Sequence, residues 1–131
     1  KAFTLAVPGT DTLEASDFLG IASANKMADK FQRTGLHAEK SQRVDAPVIE
    51  EYPLTLECEL VEMQDQPYGL RVLGRIVNVL ADEKVLDEAG KIDAGKLQTF
   101  AFDQMRHGYY AMGEKVGQAW HSGAGLMKQE G

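Results

Sequence analysis

A chain of 131 residues with a formal charge of −6 and a pI near 5.0 has room for one domain and one core. The acidic balance gives no footprint for nucleic acid, which needs clustered Lys and Arg, and no apolar run approaches the roughly 20 residues of a membrane-spanning helix. The lone cysteine, Cys58, has no internal disulfide partner, which fits a cytoplasmic location, and a buried structural thiol is the expected state for it.

The chain opens on alternating Phe3, Leu5 and Val7, then breaks at Pro8-Gly9, which predicts a strand ending in a turn. Thr10 or Asp11 can cap a helix running from Leu13 to about Ile21. From Ser23 to Phe31 a second short helix is expected, capped by Ser23 or Asn25, with Lys26 and Lys30 four apart on one face and Met27 and Phe31 on another. Such a helix start suits a phosphate, and it equally suits an amphipathic helix with solvated lysines. Gly35 is the expected end of this helix.

Residues 36–46 read as irregular, and Val48 to Glu51 as a bend or edge strand between two prolines. From Leu54 the alternation is regular: Leu54, Leu56, Cys58 and Leu60 point one way and Thr55, Glu57 and Glu59 the other, a half-buried strand with its polar side to solvent. Val61 falls out of step and predicts a bulge. Gln64 to Gly69 is a turn by composition, and Leu70 to Leu80 a strand covered on both faces at the centre of the sheet. Its Leu70, Val72, Ile76 and Leu80 are expected on one side and Leu73, Val77 and Val79 on the other. Gly74 allows a bend or the close approach of another group. Thr99 to Phe102 is a last strand or an aromatic wall, and the tail from Ser122 is expected to fray.

His37, His107 and His121 share no ligand-like spacing with Cys58, so a zinc site is not expected. Gly-x-Ser-x-Gly, Walker and Gly-x-Gly-x-x-Gly motifs are missing from the sequence.

A set of short matches in fixed order runs through nearly the whole chain: Gly20-Ile21-Ala22-Ser23, Asn25-Lys26, Asp29-Lys30-Phe31, Thr34-Gly35-Leu36, Ala46-Pro47, Leu56-Glu57-Cys58, Leu73-Gly74-Arg75-Ile76-Val77, Leu86-Asp87, Gly90-Lys91-Ile92-Asp93 and Gly113 to Gly117. In these the chain resembles the flavin reductase-like family, which includes the flavoredoxins. The resemblance implies a mainly β fold with short helices, part of an FMN-binding split β-barrel. Against the family pattern the opening strands have no counterpart, which implies that residues 1–131 are the carboxy-terminal portion of one such domain.

The resemblance implies FMN as the cofactor. Lys30 or Lys26, with Ser23, Asn25 and local amides, would take its phosphate, and Phe102, Tyr68 or Trp120 would flank the ring. Tyr68 stands where many relatives carry a histidine in a Gly-Asp-His turn on the nicotinamide side. Three functions follow: an NAD(P)H-dependent flavin reductase, a flavoredoxin-like carrier taking electrons from a redox protein partner, or a structural dimerisation domain without cofactor. A homodimer is expected, because relatives pair through the barrel and an incomplete sheet leaves unpaired edges.

Overall fold

The computed structural model describes residues 1–128 and is mainly β with three short helices. Strand β1 (Ala2–Val7) runs antiparallel to β4 (Leu54–Gln66), which runs antiparallel to β5 (Gly69–Ala81), in the order β1-β4-β5. Two smaller pairs join β2 (Ala38–Lys40) to β3 (Pro47–Ile49) and β6 (Phe100–Asp103) to β7 (Gly108–Ala111). The helices are α1 (Leu13–Ile21), α2 (Lys30–Arg33) and α3 (Ala94–Leu97), the last capped by the Asp93 carboxylate, which accepts from the amides of Gly95 and Lys96. Among the described residues no sheet closes on itself, so the barrel is open there. Among the described residues no helix is long and apolar enough to cross a membrane. The expected fraying of the tail falls partly on residues 129–131, outside the described residues; Ala124–Lys128 forms a 3-10 turn.

Strands β4 and β5 are joined by Pro67 and Tyr68, with Gly69 at a φ of 140°, a backbone region that favours glycine. Two bulges interrupt their ladder. Val61 is the extra residue on β4, as its loss of alternation predicts, and Val77 is the extra residue on β5. The second bulge moves Val79 onto the side of Leu70, Val72 and Ile76 and sends Leu80 to the opposite side, which corrects the expected grouping. Gly74 lies in the segment between the bulges, under the Phe3 ring: a Cβ there would sit 2.5 Å from Phe3 Cζ. The close approach anticipated at this glycine is made by Phe3.

Directly paired residues share a face. Phe3, Leu5 and Val7 therefore stand with Leu54, Leu56, Cys58, Leu60 and Met63, and with Leu70, Val72, Ile76 and Val79, on one almost wholly apolar surface. Thr4, Thr55, Glu57 and Asn78 stand on the other. Cys58 is buried and Glu59 exposed as the sequence predicts, but at other positions the burial is the reverse of the expectation. Thr55 and Glu57 are buried, whereas Leu5, Met63, Leu70, Val72, Ile76 and Val79 are exposed. β5 is also an edge strand rather than the centre, which belongs to β4.

The reason lies in residues 41–48. Ser41 donates to the Ala46 carbonyl, and the turn this closes lays Val44 and Val48, both buried, over the polar face of β4. Thr4 Oγ1 donates to the Pro47 carbonyl at 2.6 Å, fastening β3 beside β1. The Glu57 carboxylate accepts from the amides of Arg43 at 2.7 Å and Val44 at 3.3 Å, and from Asn78 Nδ2 at 2.6 Å. A fully buried carboxylate with no salt-bridge partner among the described residues is tolerated because its lone pairs are met by these fixed donors. Burial by itself would raise its pKa; the hydrogen bonds from the Arg43 amide, Asn78 and the Val44 and Gln42 amides outweigh that and hold it below the usual carboxylate value.

Candidate functional site

The stretch expected to grip a phosphate does not form one helix. α1 ends where Ala22 turns extended, at φ −92° and ψ 126°, and residues 23–29 follow as turns before α2 begins at Lys30. The Ser23 carbonyl accepts from the amides of both Lys26 and Met27, at 3.1 and 2.8 Å, and Ser23 Oγ accepts from the Asn25 amide at 3.3 Å. These amides are consumed within the turn, so the expected helix start at Ser23 or Asn25, with outward-pointing N–H groups, is corrected. The four residues of α2 are too few to supply a useful dipole in its place.

Lys30 has a defined position. Its ammonium donates to the carbonyls of Leu19 at 3.0 Å and Ala22 at 2.9 Å, satisfying the C-terminal end of α1. An ammonium carries three protons, so one is left without a hydrogen-bond partner among the described residues. Lys26 is exposed, as are Ser23 and Asn25. Arg33, at the end of α2, pairs with Asp29 at 3.0 Å, which holds that carboxyl below its usual range.

The aromatic residues lie elsewhere. Tyr68 occupies the tip of the β4–β5 hairpin and is 83% exposed. Phe102 lies on β6, its ring stacked on His107 at 6.1 Å between centroids and tilted against Tyr109 at 5.7 Å; Phe100 meets Tyr109 edge-on at 5.3 Å. The segment expected as a last strand is strand β6, from Phe100, and β7 follows it. Trp120 stands in the tail beyond β7, 92% exposed.

One bond fastens the aromatic hairpin to α1: Tyr109 donates its hydroxyl to Asp17 at 2.6 Å. That bond to the Asp17 carboxylate, helped by partial burial and the neighbouring charge, raises the Tyr109 phenol above 10.0. In an absorbance titration one of the four tyrosines is expected to ionise late, and Asp17→Asn should return it to the ordinary range. An unchanged profile in Asp17→Asn would show that the bond does not persist in solution.

A cleft of about 640 Å³ runs along α1, lined by Asp11, Glu14, Asp17, Phe18, Ile21 and Arg33 among others. Its three carboxylates disfavour a phosphate dianion. None of Ser23, Asn25, Lys26, Lys30, Tyr68 and Phe102 lines it.

Three features are not evident from local pattern. Glu57 alternates onto the side of β4 expected to face solvent; the signal that can place it inside is Asn78, the polar side chain within Ile76–Leu80. The Asp17–Tyr109 bond spans 92 positions and leaves no local trace. His37 Nδ1 and Glu51 Oε2 lie 2.6 Å apart, and with Glu50 their donor atoms fall within 4.8 Å of one another. The ring contact with Glu51 raises the His37 pKa; the hydrogen bond from the His37 amide, together with that ring contact, lowers the pKa of Glu51.

An open antiparallel sheet with a long bulged hairpin, flanked by short helices, is the architecture of the split-barrel flavin-binding proteins. A family model described as flavin reductase like domain matches residues 1–106, and the chain belongs to that family. Among solved structures it is similar to the flavoredoxin of Desulfovibrio vulgaris (Miyazaki F), at 31% identity and a TM-score of 0.84, over 93% of this chain and 64% of that one. It is also similar to a flavoredoxin from Methanosarcina acetivorans, at 25% identity and a TM-score of 0.85, over 95% and 64%. An FMN-binding domain of a flavin reductases-like enzyme from Shewanella baltica OS155 shares the fold at 19% identity, with a TM-score of 0.70 over 88% and 62%. The chain therefore spans just under two thirds of the length of the flavoredoxins it matches. No curated protein matches it in sequence.

Proposed function

We propose that this chain is the larger part of an FMN-binding redox protein that passes electrons between the flavin and a protein partner. The observation that carries this reading is the family match over residues 1–106, with two flavoredoxins among the similar structures. Support for FMN among flavins comes from the FMN-binding neighbour, whose likeness is one of fold. When bound, the isoalloxazine supplies the hydride and single-electron chemistry; the protein binds, orients and tunes it.

The residues present fit the phosphate end of such a ligand in one respect. Lys30 presents a proton not taken by α1, beside the exposed Ser23 turn and on the same stretch as Lys26. Ser23 Oγ and Asn25 are the remaining polar groups proposed for it, and Phe102 and Tyr68 are the rings proposed against the isoalloxazine. The carboxylate-lined cleft along α1 is not where we place the phosphate. Cys58, a buried free thiol, suits the reducing cytoplasm proposed as its location.

The Gln66-Pro67-Tyr68 tip favours a protein donor, because it lacks the imidazole that the resemblance associates with nicotinamide. An NAD(P)H-dependent flavin reductase is the second reading. Purified protein titrated with FMN is expected to develop and quench flavin absorption and fluorescence, and to bleach with dithionite but not with NADH or NADPH. Bleaching by a pyridine nucleotide would establish the second reading. A protein that leaves FMN fluorescence untouched would support instead the structural, cofactor-free domain.

A further inference from the structure

Strands β6 and β7 form a sheet of their own, apart from β1, β4 and β5. A lone pair of strands is marginally stable, so its place depends on what fastens it to its surroundings. Among the described residues the hydrogen bonds of residues 99–112 are internal, from the Met105 amide to the Asp103 carboxylate and along the backbone, with one exception. Tyr109 Oη donates to the Asp17 carboxylate on α1 at 2.6 Å. Tyr109 is also the register partner of Phe102, and its ring meets both phenylalanines of β6, Phe102 at 5.7 Å and Phe100 edge-on at 5.3 Å. Holding its hydroxyl therefore holds both rings.

Helix α1 is itself fixed. Ser16, beside Asp17, shares a hydrogen bond with Tyr52 Oη at 2.7 Å, and the Lys30 ammonium closes the far end of the helix on the carbonyls of Leu19 and Ala22. Lys30 is the cation proposed for the phosphate, and Phe102 is a ring proposed for the isoalloxazine. Both hang on the same helix, from Leu19 and from Asp17, positions about 3 Å apart along its axis. A ligand with a phosphate at one end and a ring system at the other needs the groups for both ends at a fixed separation, and binding constellations tolerate misplacement of only about 0.5 Å.

We propose that Asp17 is a positioning residue for the flavin: by holding Tyr109 it places the Phe102 ring at a set distance from Lys30, with α1 as the common support. This rests on the flavin reading above and adds to it a residue that acts through another. The carboxylate suits the task. A charged acceptor takes a phenol proton in a shorter and stronger bond than a neutral one does. Asp17 has no other hydrogen-bond or salt-bridge partner among the described residues to draw it away.

Three substitutions test this. Tyr109→Phe keeps the ring and loses the hydroxyl, Asp17→Ala loses the acceptor, and Asp17→Asn keeps an acceptor oxygen without the charge. In flavin-free protein, nuclear Overhauser contacts between the ring at position 109 and the Cβ protons at position 17 are expected in the wild type and in Asp17→Asn, and are expected to be lost in the other two. The Kd for FMN should rise about tenfold in Tyr109→Phe and in Asp17→Ala, by no more in the doubly substituted chain because both changes remove one bond, and by less in Asp17→Asn. At saturating FMN the visible circular dichroism of the flavin should change in Tyr109→Phe and Asp17→Ala and stay near the wild type in Asp17→Asn; a bond that only stabilised the fold would leave that signal untouched. Wild-type affinity and dichroism in Tyr109→Phe, or losses that add in the doubly substituted chain, would overturn the proposal and leave the flavin reading in place. A wild type that takes up no FMN would overturn both.

Discussion

Glu57→Ala is expected to lower the thermal midpoint by more than about 10 °C, and Glu57→Gln by clearly less. In the wild type the buried carboxylate meets the amides of Arg43 and Val44 and the side-chain amide of Asn78. Alanine removes these acceptor contacts and leaves buried and part-buried donors without partners, which costs more than a hydrogen bond contributes when made. Glutamine keeps one carbonyl oxygen, so part of the turn at residues 42–44 remains tied. A thermal melt that separates the two variants checks this; equal, small losses would show that the turn is held by Val44 and Val48 packing alone.

The pH dependence has a definite sign. Hydrogen bonds to the ionised form depress the folded pKa below the ordinary 4.5, so the unfolded chain takes up the proton more readily. The stabilisation is present above the unfolded value and is lost as pH falls through the folded one. Urea midpoints of the wild type should therefore drop below about pH 4.5, and those of Glu57→Gln should change less over the same range.

Lys30→Ala is the second large effect, and it acts on two readouts. Loss of the bonds to Leu19 and Ala22 uncaps α1, and a hydrogen bond from a charged group to a part-buried acceptor is worth about 1.5–3 kcal/mol, so the urea-derived stability should fall by about that amount. If the remaining proton also meets the FMN phosphate, affinity should weaken by about 1.5–3 kcal/mol, roughly 10- to 150-fold in Kd. Lys26→Ala, on an exposed side chain, should leave stability unchanged and rank the two lysines by FMN titration. A stability loss with unchanged FMN affinity would confine Lys30 to the end of α1.

The strands were legible where local chemistry decides them. Phe3, Leu5 and Val7 alternate as β1 does, Val61 breaks step because it is a bulge, and Gly74 is bare because Phe3 lies on it. What local alternation cannot tell is which face the rest of the chain will cover. Residues 41–48 bury the polar side of β4, so Thr55 and Glu57, polar by type, became interior, and the leucines opposite stayed partly open. The candidate site was less legible still. Lys26 and Lys30 have helical spacing in the sequence, but the bonds that Ser23 accepts from the amides of Asn25, Lys26 and Met27, and that Lys30 donates to the carbonyls of Leu19 and Ala22, replace the helix with turns. Family likeness was legible because it depends on order and spacing over the whole chain rather than on any one contact.

Cys58 gives the molecule a gauge of its own motion. Its sulfur is covered where β1 and β5 flank β4, opposite Phe3 and Ile76, and no other thiol exists in the chain. A thiol-modifying reagent can reach it only when one of those seams parts, so the rate of labelling counts how often the unzipping occurs under native conditions. Slow labelling at a rate that does not change with reagent concentration would mean that the strands separate rarely and reclose more slowly than the reagent reacts, and any partner that seals the seam would slow it further.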